Sequence, residues 1–244
     1  MVELKHSHIK KRDIVITVDG CDRGIIDTAV EYIKEYDGPR DTMLDIGAHV
    51  GCSSAYFAAE LGFKRIMAIE AYWENFRVLI NNIYCNQLED VITPMWAAVA
   101  LRTGEWRPMY WARERSNHGQ YSTFFKPGYH HQSDFAQTIS FEHVLSLFDN
   151  IDVLKCDIEG CEYEIFSPSD NLKESLRRVR FIDLETHGVA DGVYFELDCF
   201  AEYGYPDLNT ANEKLATFLE YCGFDLDPEG VLAGRMQGYN RRAR

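Results

Sequence analysis

The chain has 244 residues, of which 46% are hydrophobic and 26% are charged, the composition of an ordinary globular protein with a full core. Lysines and arginines number 25 against 39 aspartates and glutamates, so the net charge is −14. This charge disfavours non-specific binding along the phosphate backbone of DNA or RNA, and we expect no nucleic-acid partner.

The seven cysteines are scattered and form no Cys-x-x-Cys pair, which argues against a zinc knuckle or a disulfide framework and favours a reducing compartment. Residues 1–12 lack the apolar segment of a secretory signal. No stretch reaches the roughly 18 to 20 apolar residues that a membrane helix needs. We therefore expect a cytoplasmic protein with no membrane partner.

Short apolar runs alternate with longer amphipathic ones along the chain. The predicted strands are 14–18, 42–46, 65–69, 91–99, 153–156 and 181–184, and the predicted helices are 25–36, 52–61, 74–85, 140–147 and 210–221. This alternation predicts an α/β fold with a mostly parallel sheet and helices on both faces. In such sheets, ligands bind outside the carboxyl ends of the strands.

We interpret the chain as one domain, 1–244. Residues 1–40 are an N-terminal strand-helix extension, 41–188 form the core, and 189–244 complete the sheet. Within the core, 106–137 is polar and aromatic with no convincing period, which predicts a loop that acts as a lid. A disordered insertion is the alternative, and the many aromatic residues of the segment argue against it.

A glycine-containing turn, Asp45-Ile46-Gly47-Ala48-His49-Val50-Gly51, follows an apolar strand and opens a helix. Gly47 lets a ligand approach the backbone, and the first N–H groups of the helix offer an anion site to which Ser53 or Ser54 adds a hydroxyl. The spacing Gly-x-x-x-Gly differs from the dinucleotide-binding Gly-x-Gly-x-x-Gly, and no P-loop lysine follows.

Glu70 closes the next strand, 19 residues beyond Gly51. A carboxylate at this place accepts hydrogen bonds from the two hydroxyls of a ribose. Together with the turn, Glu70 predicts a ligand with an adenosine-like part and no pyrophosphate.

The strand 153–156 runs into four acids within eight residues, of which Asp157 and Glu159 are predicted to be functional. Close carboxylates raise one another's pKa, which suits a general base. We interpret Glu162 and Glu164 as acids of a first helical turn that complement the helix dipole. Lys155 lies on the same side of the strand as Asp157 and needs an acidic partner, for which this cluster supplies the nearest candidates.

His187 ends the next predicted strand in the stretch Glu185-Thr186-His187-Gly188. An imidazole titrates near neutral pH, so His187 is a candidate base. We predict a site without a metal. The alternative is that Asp157, Glu159 and His187 hold a divalent metal.

These stretches resemble the FkbM-type methyltransferases of the Rossmann-like, S-adenosylmethionine-dependent class I. The resemblance covers about 41–188 and is most distinctive in Lys-x-Asp-x-Glu-Gly-x-Glu at 155–162. The sequence departs from the family at His49, where asparagine is usual, and at Ala71 and Trp73, where prolines are usual.

The resemblance implies that S-adenosyl-L-methionine is the cofactor and that a methyl group passes to a hydroxyl of a small molecule or glycan. The turn would bind the methionine part, Glu70 the ribose and the strand end at 97–98 the adenine. The predicted cofactor-binding residues are Asp45, Gly47, Ala48, His49, Gly51, Ser53, Glu70, Ala71, Ala97, Ala98 and Asp157. The predicted catalytic residues are Asp157, Glu159 and His187.

Several alternatives stay open at this point. One is a nicotinamide dehydrogenase, which the glycine spacing disfavours. Others are methylation of RNA or protein, and a scaffold that binds the cofactor without turnover. Four arginines in or beside the predicted lid would attract RNA or select an acidic acceptor, and they are Arg102, Arg107, Arg113 and Arg115.

Overall fold

The computed structural model describes residues 6–11, 14–19, 33, 36–112, 121–123, 129–187, 208–233 and 235–243. The helix predicted at 25–36 lies outside these residues apart from positions 33 and 36. Strands β1 (His6–Lys11) and β2 (Ile14–Asp19) form an antiparallel hairpin. The hairpin therefore includes the strand predicted at 14–18.

The central sheet has seven strands. Along the chain these are β3 (Thr42–Ile46), β4 (Arg65–Glu70), β5 (Ile92–Trp96), β10 (Ile151–Cys156), β11 (Val179–Glu185), β12 (Phe224–Leu226) and β13 (Arg235–Asn240). Their order in space is β12-β13-β11-β10-β3-β4-β5. All neighbouring pairs from β11 to β5 are parallel, whereas β13 pairs antiparallel with β11 and β12. The predicted α/β class with a mostly parallel sheet is confirmed.

Helices follow most of the parallel strands, as the amphipathic runs predict. They are α1 (Cys52–Ala59), α2 (Trp73–Cys85), α3 (Phe141–Ser146), α4 (Glu162–Ile165), α5 (Asp170–Leu176), α6 (Leu208–Cys222) and α7 (Pro228–Ala233). Alternation along β3 sends Met43 into one apolar cluster and Leu44 into the other, so both faces of the sheet are covered. None of the helices in the described ranges is long and apolar enough to cross a membrane.

The prediction of one continuous strand at 91–99 is wrong, because two separate strands, β5 and β6, occupy that range. After β5 ends at Trp96, the N–H of Ala97 donates to the carbonyl of Glu70, the last residue of β4. Strand β4 offers no further partner, so the chain leaves the sheet. Residues Ala98–Ala100 form β6 and pair with β9 (Tyr129–Ser140) instead.

The prediction that 106–137 is a loop is also wrong, because strands occupy much of this segment. β7 (Trp106–Ala112) pairs antiparallel with β9 and with the short β8 (Tyr121–Ser122), which gives a second sheet in the order β6-β9-β7-β8. Met109 and Ala136 point inward and are buried, whereas Trp106 and Phe135 point outward and are exposed. Large aromatic residues on the exposed face hide the alternation that would have predicted these strands.

The crossover between β3 and β10 decides where a ligand can bind. From β3 the chain builds outward through β4 and β5, and it then returns to place β10 on the other side of β3. Such a reversal opens a crevice at the carboxyl ends of the two central strands. The predicted turn and the predicted acidic cluster follow those two strands.

Candidate active site

The turn after β3 is held by its own backbone. The N–H groups of Gly47 and Ala48 both donate to the carbonyl of Ile69 in β4, and Gly51 donates to Ala48. Gly47, His49 and Gly51 have φ angles of 78°, 53° and 85°, so three of five residues adopt the left-handed conformation. The N–H groups of positions 47, 48, 49 and 51 therefore already donate to acceptors within the protein, and an anion site there would depend on the remaining N–H groups of the turn and of the first turn of α1.

Gly47 packs against the end of β10. A Cβ at position 47 would lie 1.7 Å from the carbonyl oxygen of Asp157, and the N–H of Asp157 donates to Ile46 at 3.0 Å. The glycine is therefore required by contact between two parts of the chain, whereas the sequence suggested close approach of a ligand. The contact brings the turn and the acidic strand end together.

Asp45 is fully buried beneath the turn. Its Oδ2 accepts hydrogen bonds from the hydroxyls of Ser53 at 2.7 Å and Ser54 at 2.6 Å. Its Oδ1 lies 3.3 Å from Nζ of Lys155. The hydroxyls expected at an anion site thus bind Asp45, and Asp45 and Ser53 support the turn from below. Their direct contact with a cofactor stays a prediction.

Lys155 bridges the two central strands. It lies beside Asp45 in the register of β10 and β3, donates to the carbonyl of Gly47 at 3.4 Å, and lies 3.9 Å from Asp157 Oδ2. The buried lysine therefore has acidic partners as expected, but the nearer one is Asp45 rather than a member of the 157–164 cluster.

On the other side of the crevice, Glu70 is buried at the end of β4. Its two oxygens accept the N–H of His49 at 2.9 Å and of Tyr72 at 2.8 Å. Burial raises the pKa of Glu70 from 4.5 to about 7, although these N–H groups oppose the shift. The carboxylate is fixed between the turn and the loop that begins α2.

Two indole rings lie beside Glu70. Trp96 at the end of β5 donates from Nε1 to the carbonyl of Ala71 at 2.9 Å, and its ring centre is 4.7 Å from that of Trp73. Tyr72 packs against a small buried cluster that includes Ala98. Ala71, Ala97 and Ala98 therefore lie at the strand ends where the sequence predicts an adenine, and their roles stay predictions.

The acidic cluster follows β10 and β11 and surrounds His187. Nδ1 of His187 lies 3.0 Å from Glu162 Oε1, and Nε2 lies 3.5 Å from Asp157, 3.6 Å from Glu159 and 3.8 Å from Glu185. Burial lowers the pKa of His187, but the surrounding carboxylates outweigh burial and raise that pKa from 6.5 to about 10. A raised pKa favours the imidazolium at neutral pH, and an imidazolium cannot act as the base.

Glu162 is fully buried and does more than complement a helix dipole. Its carboxylate accepts the N–H of Ile158 at 2.9 Å and of Gly160 at 2.7 Å in addition to its bond with His187. Glu159 has a φ of 56°, so the short loop is tightly wound. Glu162 thus holds both the loop that carries Glu159 and the imidazole ring.

In the structure, the three residues that could hold a divalent metal differ from the three that the sequence suggested. Asp157, Glu162 and His187, rather than Asp157, Glu159 and His187, each place one ligand atom within 4.8 Å of the others. Both Glu162 oxygens and His187 Nδ1 already take part in hydrogen bonds. The described residues therefore form a hydrogen-bonded ion cluster.

Glu164 ties the second sheet to this site. Arg107 of β7 donates from both terminal nitrogens to Glu164, at 2.5 and 2.6 Å, and the pair is largely buried. Thr123 Oγ1 lies 2.9 Å from Cys161 Sγ in a second link. Arg107 is thus engaged within the protein, and its predicted selection of an acceptor stays a prediction. Glu164 lies in the first turn of α4 as predicted, but it is buried in an ion pair. Arg113 and Arg115 lie outside the described residues.

Three groups were missed as members of the site by reasoning from sequence: Glu162, Glu164 and Glu185. A signal existed for Glu185, because it ends β11 at the same edge of the sheet as Asp157. For Glu162 the signal was its place as the last residue of the motif at 155–162. For Glu164 the sequence offered no signal, since its burial depends on Arg107, which is distant along the chain.

Over residues 45–226 the sequence matches the family model of the methyltransferase FkbM domain. No curated protein sequence matches the chain. Among solved structures, methyltransferase FkbM from Methylobacillus flagellatus KT aligns at 13% identity and a TM-score of 0.49, over 86% of this chain and 47% of that one. This chain therefore spans about half the length of that protein.

Two structures from M. jannaschii are similar to a comparable degree. TYW2, solved in complex with AdoMet, has 13% identity and a TM-score of 0.46 over 98% of this chain and 85% of that one. The fibrillarin pre-rRNA processing protein has 13% identity and a TM-score of 0.46 over 97% and 83%.

The family match begins at Asp45 and includes the turn, Glu70 and the whole acidic cluster. It extends over more than half of the chain. The chain belongs to the FkbM methyltransferase family.

Proposed function

We propose that this chain transfers a methyl group from S-adenosyl-L-methionine to a hydroxyl oxygen of a small molecule or glycan. One observation carries the proposal within this methyltransferase family. The crevice between β3 and β10 has the buried Glu70 on one side and four carboxylates around His187 on the other, with the glycine turn between them. The four carboxylates are those of Asp157, Glu159, Glu162 and Glu185.

The residues on the two sides suit different parts of this cofactor. Glu70 is fixed at the end of β4, where its carboxylate would accept hydrogen bonds from ribose hydroxyls. Ala71, Ala97 and Ala98 would contact the adenine, and the turn with Asp157 would hold the methionine end. When bound, S-adenosylmethionine supplies an electrophilic methyl group on a positively charged sulfur, and the acidic side of the crevice stabilises that charge.

The protein's contribution to the reaction is placement and proton removal. Holding the acceptor oxygen in line with the sulfur–methyl bond supplies much of the acceleration. The acceptor hydroxyl must also lose its proton, and the groups at the ends of β10 and β11 lie at the correct edge of the sheet to accept it. The second sheet, linked to the cluster through Glu164 and Cys161, would form one wall of the acceptor site.

A neutral acceptor fits this site better than RNA. The chain carries a charge of −14, and Arg107, one of four arginines that would form a basic patch, is paired with Glu164. An anionic backbone near the carboxylate cluster would be repelled.

Cofactor use is tested first, by thermal melts with S-adenosylmethionine, S-adenosylhomocysteine and NAD. At 100 times the dissociation constant we expect the two adenosyl compounds to stabilise the fold by about 2.7 kcal/mol, a shift of roughly 2–4 °C, and NAD to have no effect. Glu70→Ala should abolish the shift. Glu74→Ala is the matched control, because Glu74 is an exposed acid on the next helix. No shift in the folded wild type would overturn the proposal.

Acceptor class is tested with a radiolabelled methyl donor. The panel consists of neutral monosaccharides, polyols, uronic acids, a total RNA sample and an unstructured protein. Label on a sugar or polyol hydroxyl supports the proposal. Transfer confined to RNA or protein contradicts it while leaving the cofactor assignment intact.

A further inference from the structure

The surroundings of His187 identify which group can accept a proton. Nδ1 faces Glu162 at 3.0 Å, and Nε2 faces Asp157, Glu159 and Glu185 within 3.8 Å. Carboxylate oxygens surround both nitrogens, which favours the protonated ring, and an imidazolium has no lone pair to offer. The acceptor's proton must therefore go to a carboxylate.

Three of the four carboxylates are less suited to accept it, two because they are engaged elsewhere and the third because it is more buried. Glu162 is fully buried and accepts two backbone N–H groups besides His187. Asp157 turns Oδ1 toward His187 and Oδ2 toward Lys155, so each oxygen faces a cation. Glu159 is held in a left-handed loop, and its side chain is 14% exposed.

Glu185 differs from these groups in place and exposure. It is the last residue of β11, and its side chain is 39% exposed, against 23% for Asp157. A group that exchanges a proton with a substrate must be reachable from the crevice, and within the described part of the cluster Glu185 is the most accessible carboxylate. Partial burial and the charge of Asp157 raise the pKa of Glu185 from 4.5 to about 7, while His187, Arg235 and Lys155 oppose the shift.

We propose that Glu185 is the catalytic base and that His187, held by Glu162, is a positioning cation. This inference rests on the proposed methyl transfer to a hydroxyl. The acceptor O–H bond breaks and its proton passes to a Glu185 carboxylate oxygen. The oxygen's electron pair forms the new bond to the methyl carbon, and the pair of the sulfur–methyl bond stays on sulfur, which leaves as a neutral thioether.

The first test needs no acceptor. In wild-type protein with ¹³C-labelled glutamate, the carboxyl signals of Glu70 and Glu185 should both titrate near pH 7. The signal of Glu185 is the one that is absent from Glu185→Gln and present in both Glu70→Gln and Glu89→Gln, an exposed control. In ¹⁵N-histidine-labelled protein, both ring nitrogens of His187 should be protonated at pH 7.5. A Glu185 signal that titrates with ordinary carboxyls below pH 5, or a neutral His187 ring, overturns the proposal.

The second test measures turnover on the best hydroxyl acceptor of the panel. Glu185→Gln should lower kcat by about 10²- to 10⁴-fold, as expected for loss of a general base, while the Kd for S-adenosylhomocysteine changes less than threefold. The rise of kcat with pH near 7 should vanish in this variant, and Glu185→Asp should recover part of the rate. Wild-type turnover by Glu185→Gln overturns the role of Glu185.

The outcomes separate the two proposals. Failure of wild type to bind S-adenosylhomocysteine contradicts the proposed function, whereas the titrations and the rate of Glu185→Gln address Glu185 alone. If no panel compound accepts a methyl group, the titrations still decide whether Glu185 and His187 have the protonation states that the inference requires.

Discussion

Gly47 and Asp157 touch across the crevice: a Cβ at position 47 would lie 1.7 Å from the Asp157 carbonyl oxygen. The two residues follow adjacent parallel strands, β3 and β10, at the point where the sheet reverses its direction of growth. The turn that would bind the cofactor and the acidic strand end therefore hold each other in place.

This contact predicts a large effect of Gly47→Ala. The methyl group would displace the backbone of Asp157, and alanine is strained at a φ of 78°. We expect a loss of about 2–4 kcal/mol in the free energy of unfolding, since overpacking and left-handed strain add. Urea unfolding measures this loss, and binding of S-adenosylhomocysteine should weaken with it.

Gly62→Ala is the matched control for this substitution. Gly62 has a φ of 77°, and a Cβ there would meet nothing within 4 Å. It therefore carries the same backbone strain without the collision. Equal losses for the two variants would show that contact with Asp157 contributes nothing.

The ion pair between Arg107 and Glu164 predicts that the second sheet is fixed to the site. Arg107→Ala leaves Glu164 buried without its guanidinium, and we expect a loss of about 3–5 kcal/mol in the free energy of unfolding. Arg107→Lys should recover only part, because an ammonium cannot bind both oxygens in the same geometry. The exposed pair of Arg77 and Glu74 supplies the control, for which Arg77→Ala should cost less than about 1 kcal/mol.

Glu70 predicts a specific dependence of stability on pH. Burial raises its pKa from 4.5 to about 7, so between these values the folded protein holds a proton that the unfolded chain has released. The contribution of Glu70 to the free energy of unfolding therefore falls as pH rises through this window, by about 3 kcal/mol at most. Urea unfolding at a series of pH values should show that Glu70→Gln removes this fall, and a parallel profile for the two proteins would contradict the assignment.

His187 predicts that the free energy of unfolding also depends on pH in a higher pH range. Its pKa is raised from 6.5 to about 10, so the folded state keeps a proton that the unfolded chain loses. The stabilisation is fully present below pH 6.5 and is lost as pH rises toward 10. His187→Gln should be less stable than wild type below pH 6.5, with a difference that narrows at higher pH. His143→Gln, an exposed histidine on α3, should show no such trend.

Local pattern was sufficient to predict the fold class and part of the site. The apolar runs that form β3, β4, β10 and β11 are buried on both faces, so they are visible without knowing their neighbours. Because the carboxyl ends of parallel strands meet at one edge, Glu70, Asp157 and His187 could be assigned to the same crevice from sequence.

Tertiary structure decided which charges are paired and which are accessible. Arg107 meets Glu164 across 57 positions, and His187 meets Glu162 across 25. A helical-turn acid and a buried ion-pair partner have the same sequence pattern, and only long-range packing distinguishes them. The strands of 106–137 were hidden for a related reason, because Trp106 and Phe135 are large apolar side chains that lie exposed. Sequence periodicity reports which residues are apolar, whereas burial and pairing depend on what the rest of the chain places against them.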